Sequence, residues 1–84
     1  MATKSSARPD EVRALEERAI QRLRAEGFRI TMPRVQVIRT LAQSNEALSA
    51  YGIHERILAT GGRIDVVSVY RILATLHEVG LIHH

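Results

Sequence analysis

DVVSVYRILATLHEVG, residues 65–80, has the clearest helical periodicity in the chain. Its apolar positions recur three and four residues apart, which places them on one face of an α-helix. These positions are Val69, Ile72, Leu73 and Leu76. The opposite face carries Val67, Arg71, Ala74 and Glu78, with Tyr70 at its flank. Because Asp65 can cap its start and Gly80 can end it, we predict an amphipathic helix that presents Arg71 to solvent from its first two turns.

Three earlier segments show the same periodicity and predict three further helices. The first covers residues 9–26 and stops at Gly27, where a helix C-terminus commonly has glycine. The second is capped by Thr31 and the third by Ser49, with a polar turn over residues 43–46 between them. The side chains expected to face the core are, in chain order, Val12, Leu15, Ala19, Leu23, Val35, Ile38, Leu41, Ala42, Ile53, Ile57 and Leu58.

The two ends of the chain differ from this helical part. Residues 81–84, Leu-Ile-His-His, are typical of the beginning of a strand, and a single strand is not stable alone. Residues 1–8 are small, polar and aperiodic, which predicts a flexible N-terminal tail. We therefore expect residues 9–84 to form a mainly α domain of the winged helix-turn-helix type, with three to four helices followed by the start of a β wing.

The composition indicates one small globular domain. Of the 84 residues, 45% are hydrophobic and 25% are charged, which suffices for a modest core but not for a deep substrate cavity as well. The absence of cysteine excludes disulfides, thiolate nucleophiles and cysteine-ligated zinc. No apolar run approaches the length of a membrane span. We expect a cytoplasmic protein that acts on neither a membrane nor a small-molecule substrate.

The positive charge is unevenly distributed. The net charge is +3, and eleven of the twelve cations are arginines, which can pair with phosphate or guanine through two hydrogen bonds. Residues 27–44 contain Arg29, Arg34 and Arg39 and no acid. Residues 45–84 contain three arginines and four acids. This distribution indicates an anionic partner, and we expect double-stranded DNA.

The segment after Asp65 has the pattern of a recognition helix. In such helices an apolar face docks on the domain while exposed N-terminal residues enter the major groove. Arg71 is placed to bind guanine there, and Ser68 is placed to contact a phosphate. An ordinary surface arginine beside a half-buried tyrosine has the same periodicity, so the helical wheel leaves both interpretations open.

Four short motifs occur in a fixed order along the chain. They are Ile30-Thr31-Met32-Pro33-Arg34, Leu48-Ser49-Ala50, Ser68-Val69-Tyr70-Arg71 followed by Leu73, and Val79-Gly80-Leu81-Ile82. Over about residues 20–84 this pattern resembles the DNA-binding domain of the ferric uptake regulator family. The resemblance implies a dimeric, metal-activated repressor whose fourth helix binds AT-rich inverted repeats in the major groove. It further implies that Tyr70 touches thymine and that Arg71 touches a base or a phosphate.

The same resemblance gives roles to three other residues. Arg29 matches a basic position that reaches the DNA backbone or minor groove, and Arg34 matches the arginine of the first motif. Tyr51 resembles a tyrosine of the zinc uptake regulator branch that assists in reading DNA. From the residues alone, Arg34 could instead form an ion pair with Glu26 or Glu78. Tyr51 could instead pack its ring beneath the recognition helix with its hydroxyl in water.

Four histidines raise the question of a metal site, since imidazole is a common zinc ligand. His54 and His77 have no evident ligand partner on the same helix face and are expected to be surface or boundary residues. His83 resembles in position a hinge-site histidine of the zinc branch, which makes it the candidate ligand. We expect a divalent metal, either zinc or iron or manganese, in the full-length protein and none in this chain alone. Glu46-Ala47 stands where iron-type members often carry histidine, a departure that puts iron sensing in doubt.

The expected function is that of a DNA-binding domain. We expect the chain to stop before a C-terminal domain that dimerises and senses metal, in a homodimeric repressor of metal uptake or homeostasis genes. An alternative keeps the winged-helix scaffold but uses its surface for protein partners. Catalysis would need His77 with Glu78, or Ser68 with a histidine, and no base, nucleophile and orienting group are expected to share a pocket. We therefore expect no enzymatic activity.

Overall fold

The structure, a computed structural model, describes residues 8–44 and 47–82. Those residues form four α-helices, α1 (Pro9–Ala25), α2 (Met32–Gln43), α3 (Ala50–Ala59) and α4 (Val66–Glu78). The prediction of a mainly helical fold is confirmed. Within the described residues no strand is formed, because Leu81 lies in a bend and Ile82 in irregular backbone. The predicted start of a wing is therefore not seen as far as Ile82.

Three of the predicted segments fall at least partly outside the described residues. They are the tail up to Ala7, the end of the turn at Asn45 and Glu46, and the final pair His83 and His84. The turn itself begins one residue later than predicted, since Gln43 is still the last residue of α2.

Side-chain caps fix the starts of α2 and α3, as the sequence predicts. The Thr31 hydroxyl oxygen accepts a hydrogen bond from the Arg34 backbone N–H at 3.4 Å, and Ser49 Oγ accepts one from the Gly52 N–H at 3.0 Å. Each hydroxyl satisfies one of the N–H groups that a helix N-terminus leaves without a partner. Arg34 lies in the first turn of α2 and Tyr51 in the first turn of α3. The caps therefore fix the backbone positions from which these two side chains project.

Glycine ends α4 where the sequence predicts. Gly80 has φ +80, and the two backbone N–H groups after the last turn bond back, Gly80 to the His77 carbonyl and Leu81 to the Leu76 carbonyl. This pair of bonds is the Schellman motif, which needs a left-handed residue that only glycine adopts without strain. The same two bonds close α1, where Gly27 has φ +90. Both glycines turn the chain sharply where the helix ends.

The core lies around α2, which packs against each of the other three helices. Its fully buried hydrophobic members come from all four helices and from the end of α4: Ala19, Leu23, Val37, Ile38, Ala50, Ile53, Ile57, Val69, Ile72, Leu76 and Val79. Because α2 is contacted from three sides, it buries Val37 as well as the predicted Ile38. Three other predicted core residues of α2 are only partly buried: Val35, Leu41 and Ala42.

Two predicted core residues are exposed. Leu58 on α3 is 48% exposed and Leu15 on α1 is 43% exposed, so both predictions were wrong. The last turn of α3 buries the other predicted residue, Ile57, while α1 buries Ala19 and Leu23 and packs Ile20 against the core. No helix among the described residues is long and apolar enough to cross a membrane.

Candidate nucleic-acid interface

The outer face of α4 has the composition that the sequence predicts. Its inner side buries Val69, Ile72 and Leu76, and Leu73 is partly buried. The residues that face solvent are Val67, Tyr70, Arg71, Ala74, His77 and Glu78. The first four of these lie three, four and seven residues apart and form one continuous row, which we call the α4 outer row.

Tyr51 and Tyr70 are joined at the edge of this row. Their ring centroids are 6.3 Å apart and the ring planes meet at 88°, an edge-to-face arrangement that aromatic pairs favour. Tyr51 is 61% exposed and Tyr70 53% exposed. The Tyr51 ring therefore packs beside the α4 outer row rather than beneath α4, and the two tyrosines form one exposed aromatic surface between the starts of α3 and α4.

Ser68 and Asp65 form a hydrogen-bonded pair at the start of α4. Asp65 occupies the N-cap position as predicted, but its carboxylate makes no capping hydrogen bond to the backbone; its Oδ1 instead accepts a hydrogen bond from Ser68 Oγ at 2.5 Å. This hydrogen bond is the main reason why the pKa of the Asp65 carboxyl lies below its ordinary value, and the positive charge of Arg71 adds to the effect. The Ser68 proton is thus committed to a carboxylate, so the hydroxyl would have to turn before it could bind a phosphate.

The carboxylate beside Arg71 is a site residue that the sequence reasoning missed, since Asp65 was interpreted only as a cap. The sequence contained a local signal for the contact between Asp65 and Ser68, because residues three apart at the start of a helix are neighbours. An anionic group here offsets part of the positive potential of the α4 N-terminus and of Arg71. The start of α4 is consequently less attractive to phosphates than its arginine alone would suggest.

Arg34 is held by the connector between α1 and α2. Its Nη1 donates a hydrogen bond to the Arg29 carbonyl oxygen at 2.8 Å, and its guanidinium carbon lies 5.6 Å from the centroid of the Phe28 ring. Its Nε is buried and has no hydrogen-bond partner among the described residues. The proposed ion pair of Arg34 with Glu26 or Glu78 is not formed, and Glu26 instead lies 3.6 Å from Arg22.

Arg34 and Arg71 line the same shallow concavity between the start of α2 and α4. Its walls are Thr31, Pro33, Arg34, Ser68, Arg71 and Ile72. Two arginines therefore line one surface, and their positive charge favours an anionic ligand such as a phosphate. Arg29, on the adjacent connector, is exposed beside it.

Arg39 behaves differently from the other two arginines of the acid-free segment. Its Nε lies 3.0 Å and its Nη2 2.9 Å from Oε2 of Glu16 on α1. The Glu16 side chain is mostly buried, at 13% exposure. The segment that lacks acids in sequence is thus partly neutralised in space. Of its three arginines, Arg29 and Arg34 form no ion pair among the described residues, and Arg34 shares its concavity with Arg71.

The described residues do not offer a metal site. Within residues 8–44 and 47–82 no three or more side chains of histidine, aspartate or glutamate come together as ligands. His54 is partly buried on α3, and His77 is exposed at the end of α4. The candidate ligand His83 lies outside the described residues, so its role stays a prediction.

An exposed helix with tyrosine and arginine, beside a basic concavity, has the surface features of a domain that binds nucleic acid. Residues 25–84 match the model of the ferric uptake regulator family, and the chain belongs to that family. Its members are metal-responsive transcriptional regulators.

Curated relatives agree with this assignment. The chain is 36% identical over 63 residues to the ferric uptake regulation protein of Legionella pneumophila, a match that covers 74% of this chain and 46% of that protein. It is 30% identical over 61 residues to that of Shigella flexneri, covering 71% and 41% of the two chains. The chain thus spans less than half the length of these relatives. No solved structure matches. Membership of the zinc uptake regulator branch, which the positions of Tyr51 and His83 favour, stays a prediction. The role inferred for Tyr51 in reading DNA stays a prediction as well.

Proposed function

We propose that this chain is the DNA-reading domain of a metal-responsive transcriptional repressor that binds AT-rich inverted repeats. The observation that carries the proposal is the α4 outer row, in which Tyr70 and Arg71 project from a helix docked by its opposite face. Such a helix fits the major groove, where arginine can bind guanine O6 and N7 and an aromatic ring can contact a thymine methyl.

The basic concavity supports the positioning step of this function. Arg34 and Arg71 share it, and Arg29 lies beside it, so these arginines are placed to bind phosphates on one strand while α4 enters the groove. Phosphate contacts set the register of a protein on DNA, and base contacts select the sequence. Tyr51 would widen the base-reading surface through its contact with Tyr70. Ser68 would act as a phosphate ligand only after releasing Asp65.

We further propose that dimerisation and metal sensing belong to a part of the protein outside these 84 residues, with residues 9–84 as the DNA-binding domain and a wing following α4. The relatives are more than twice as long as the segment matched here, which supports this division. One domain alone should bind one half-site weakly, because the avidity of a palindromic site comes from two linked domains. The same proposal includes a cytoplasmic location, because the DNA that the protein would bind is there.

The test is a binding titration at several salt concentrations. A duplex with an AT-rich inverted repeat and a scrambled duplex of the same composition are compared for the native chain, Tyr70→Ala and Arg71→Ala. Arg18→Ala is the matched control, since it removes one exposed positive charge from α1. Comparing the two duplexes separates sequence reading from general attraction between opposite charges.

We expect the native chain and Arg18→Ala to prefer the repeat. Arg71→Ala should lose about 1–3 kcal/mol of discrimination, the usual contribution of one bidentate base contact. Equal binding of both duplexes by the native chain, unchanged by either substitution, would contradict the proposal. The exposed tyrosine pair would then be better explained as a surface for a protein partner.

A further inference from the structure

Val67 is an exposed aliphatic residue in the first turn of α4. It is 51% exposed, whereas its neighbour Val66 is partly buried and Val69 is fully buried. The core of the domain therefore does not account for a valine at this position. Helix formation does not account for it either, because a β-branched side chain is less favourable in a helix than alanine.

The surroundings of Val67 distinguish it from a scattered surface hydrophobe. It precedes Tyr70 by three residues and Arg71 by four, so it adjoins both on the α4 outer row. Tyr70 in turn contacts Tyr51. Three exposed apolar side chains thus adjoin one another next to the arginine, and contiguous apolar surface of this kind marks a contact site.

We propose that Val67 is a specificity-determining residue that selects thymine by packing its methyl groups against the thymine C5 methyl. This inference rests on the proposed function, since it requires α4 to lie in the major groove. The thymine methyl is the one apolar group that a base edge presents there, and aliphatic side chains are its usual partners. Val67 has no polar atom with which to bind any other base edge or a phosphate.

The spacing on the helix separates this contact from that of Arg71. A rise of about 1.5 Å per residue places Val67 roughly 6 Å from Arg71 along the axis. Base pairs follow one another every ~3.4 Å along the duplex. Because their separation exceeds the spacing of one base pair, the two side chains would contact different base pairs.

The experiment removes one methyl group at a time from the DNA. Each thymine of the AT-rich repeat duplex is replaced singly by deoxyuridine, which keeps the base pairing and loses only the C5 methyl. Affinities are measured for the native chain, Val67→Ala and Tyr70→Phe. Leu15→Ala serves as the control, because it shortens a similarly exposed aliphatic side chain on α1.

Apart from any thymine that Tyr70 contacts, we expect one thymine per half-site at which deoxyuridine weakens native binding about fourfold, the effect of losing one buried methylene-sized group. At that position Val67→Ala should show no deoxyuridine penalty, while Leu15→Ala and Tyr70→Phe retain it. A chain that prefers the repeat but shows the same deoxyuridine penalties with and without Val67 would overturn this inference and leave the proposed function intact. A chain without preference for the repeat would overturn both.

Discussion

The two faces of α4 have opposite surroundings. Its outer face presents Val67, Tyr70 and Arg71 to solvent beside a basic concavity. Its inner face buries Leu76, which lines a groove of about 400 Å³ together with aliphatic side chains of α1 and α2. The comparison indicates that one helix separates two tasks between its faces. Stability should depend on the inner face, and any base selection should depend on the outer face.

The largest effect on stability is expected on the inner face. Leu76→Ala removes a side chain that is only 2% exposed and should lower the free energy of unfolding by about 2–5 kcal/mol. Val67→Ala on the outer face should change it by less than about 0.5 kcal/mol. Urea denaturation followed by circular dichroism measures both values. Similar losses for the two variants would show that α4 is not divided in this way.

A pair of arginine substitutions tests whether the DNA-binding surface has been assigned to the correct side of the domain. Arg34→Ala should weaken DNA binding and reduce the salt slope by about one. Arg39→Ala should leave the salt slope unchanged and lower stability by about 1–3 kcal/mol, because it leaves the mostly buried carboxylate of Glu16 without this partner. The reverse result would place the DNA on the α1–α2 side of the molecule.

The cap of α3 provides a smaller effect that links stability to the tyrosine pair. Ser49→Ala removes the acceptor for the Gly52 N–H and should cost about 1 kcal/mol of stability. Ser49→Asp keeps a capping oxygen and should retain most of it. Thermal unfolding compares the two variants. If they were equally destabilised, the cap would not determine the start of α3 beside Tyr51.

Asp65 gives the smallest expected effect. Asp65→Asn should raise affinity for scrambled DNA slightly by removing a negative charge beside Arg71, without changing the fold. Because the pKa of Asp65 is lowered, the carboxylate stays ionised above its ordinary value of 3.8, and any stability that it contributes is lost only as the pH falls through the lowered value. The affinity difference between native and Asp65→Asn should thus be constant from about pH 5 to 8. An affinity difference that changed between about pH 5 and 8 would contradict the assignment of this effect to the ionised Asp65 carboxylate.

The elements that depend on neighbouring residues were predictable from the sequence. Thr31, Ser49 and Gly80 each act through bonds to residues one to four positions away, so the cap and stop signals located the helices to within a residue or two. The outward direction of Tyr70 and Arg71 followed from the same local periodicity. That part of the candidate site was therefore predicted from the sequence.

The features that depend on tertiary contacts were not predictable from the sequence. Burial of Val37 and exposure of Leu58 follow from how many helices surround α2 and α3, which periodicity within one helix does not reveal. The partner of Arg39 lies 23 residues away in sequence. Arg34 bonds a backbone carbonyl rather than an acid, a choice that depends on the conformation of the connector.

The most direct test of the division of α4 is an NMR titration of the chain with the repeat duplex, following the backbone amide signals. Phosphate-bound and base-bound surfaces both perturb nearby amides, so the map of perturbed signals locates the DNA. We predict the largest shifts at Tyr51, at Arg34 and over residues 67–74, with little change at Leu15 and Leu41 on the walls of the apolar groove. Largest shifts at the groove, with residues 67–74 unaffected, would contradict the claim that the outer face of α4 reads DNA.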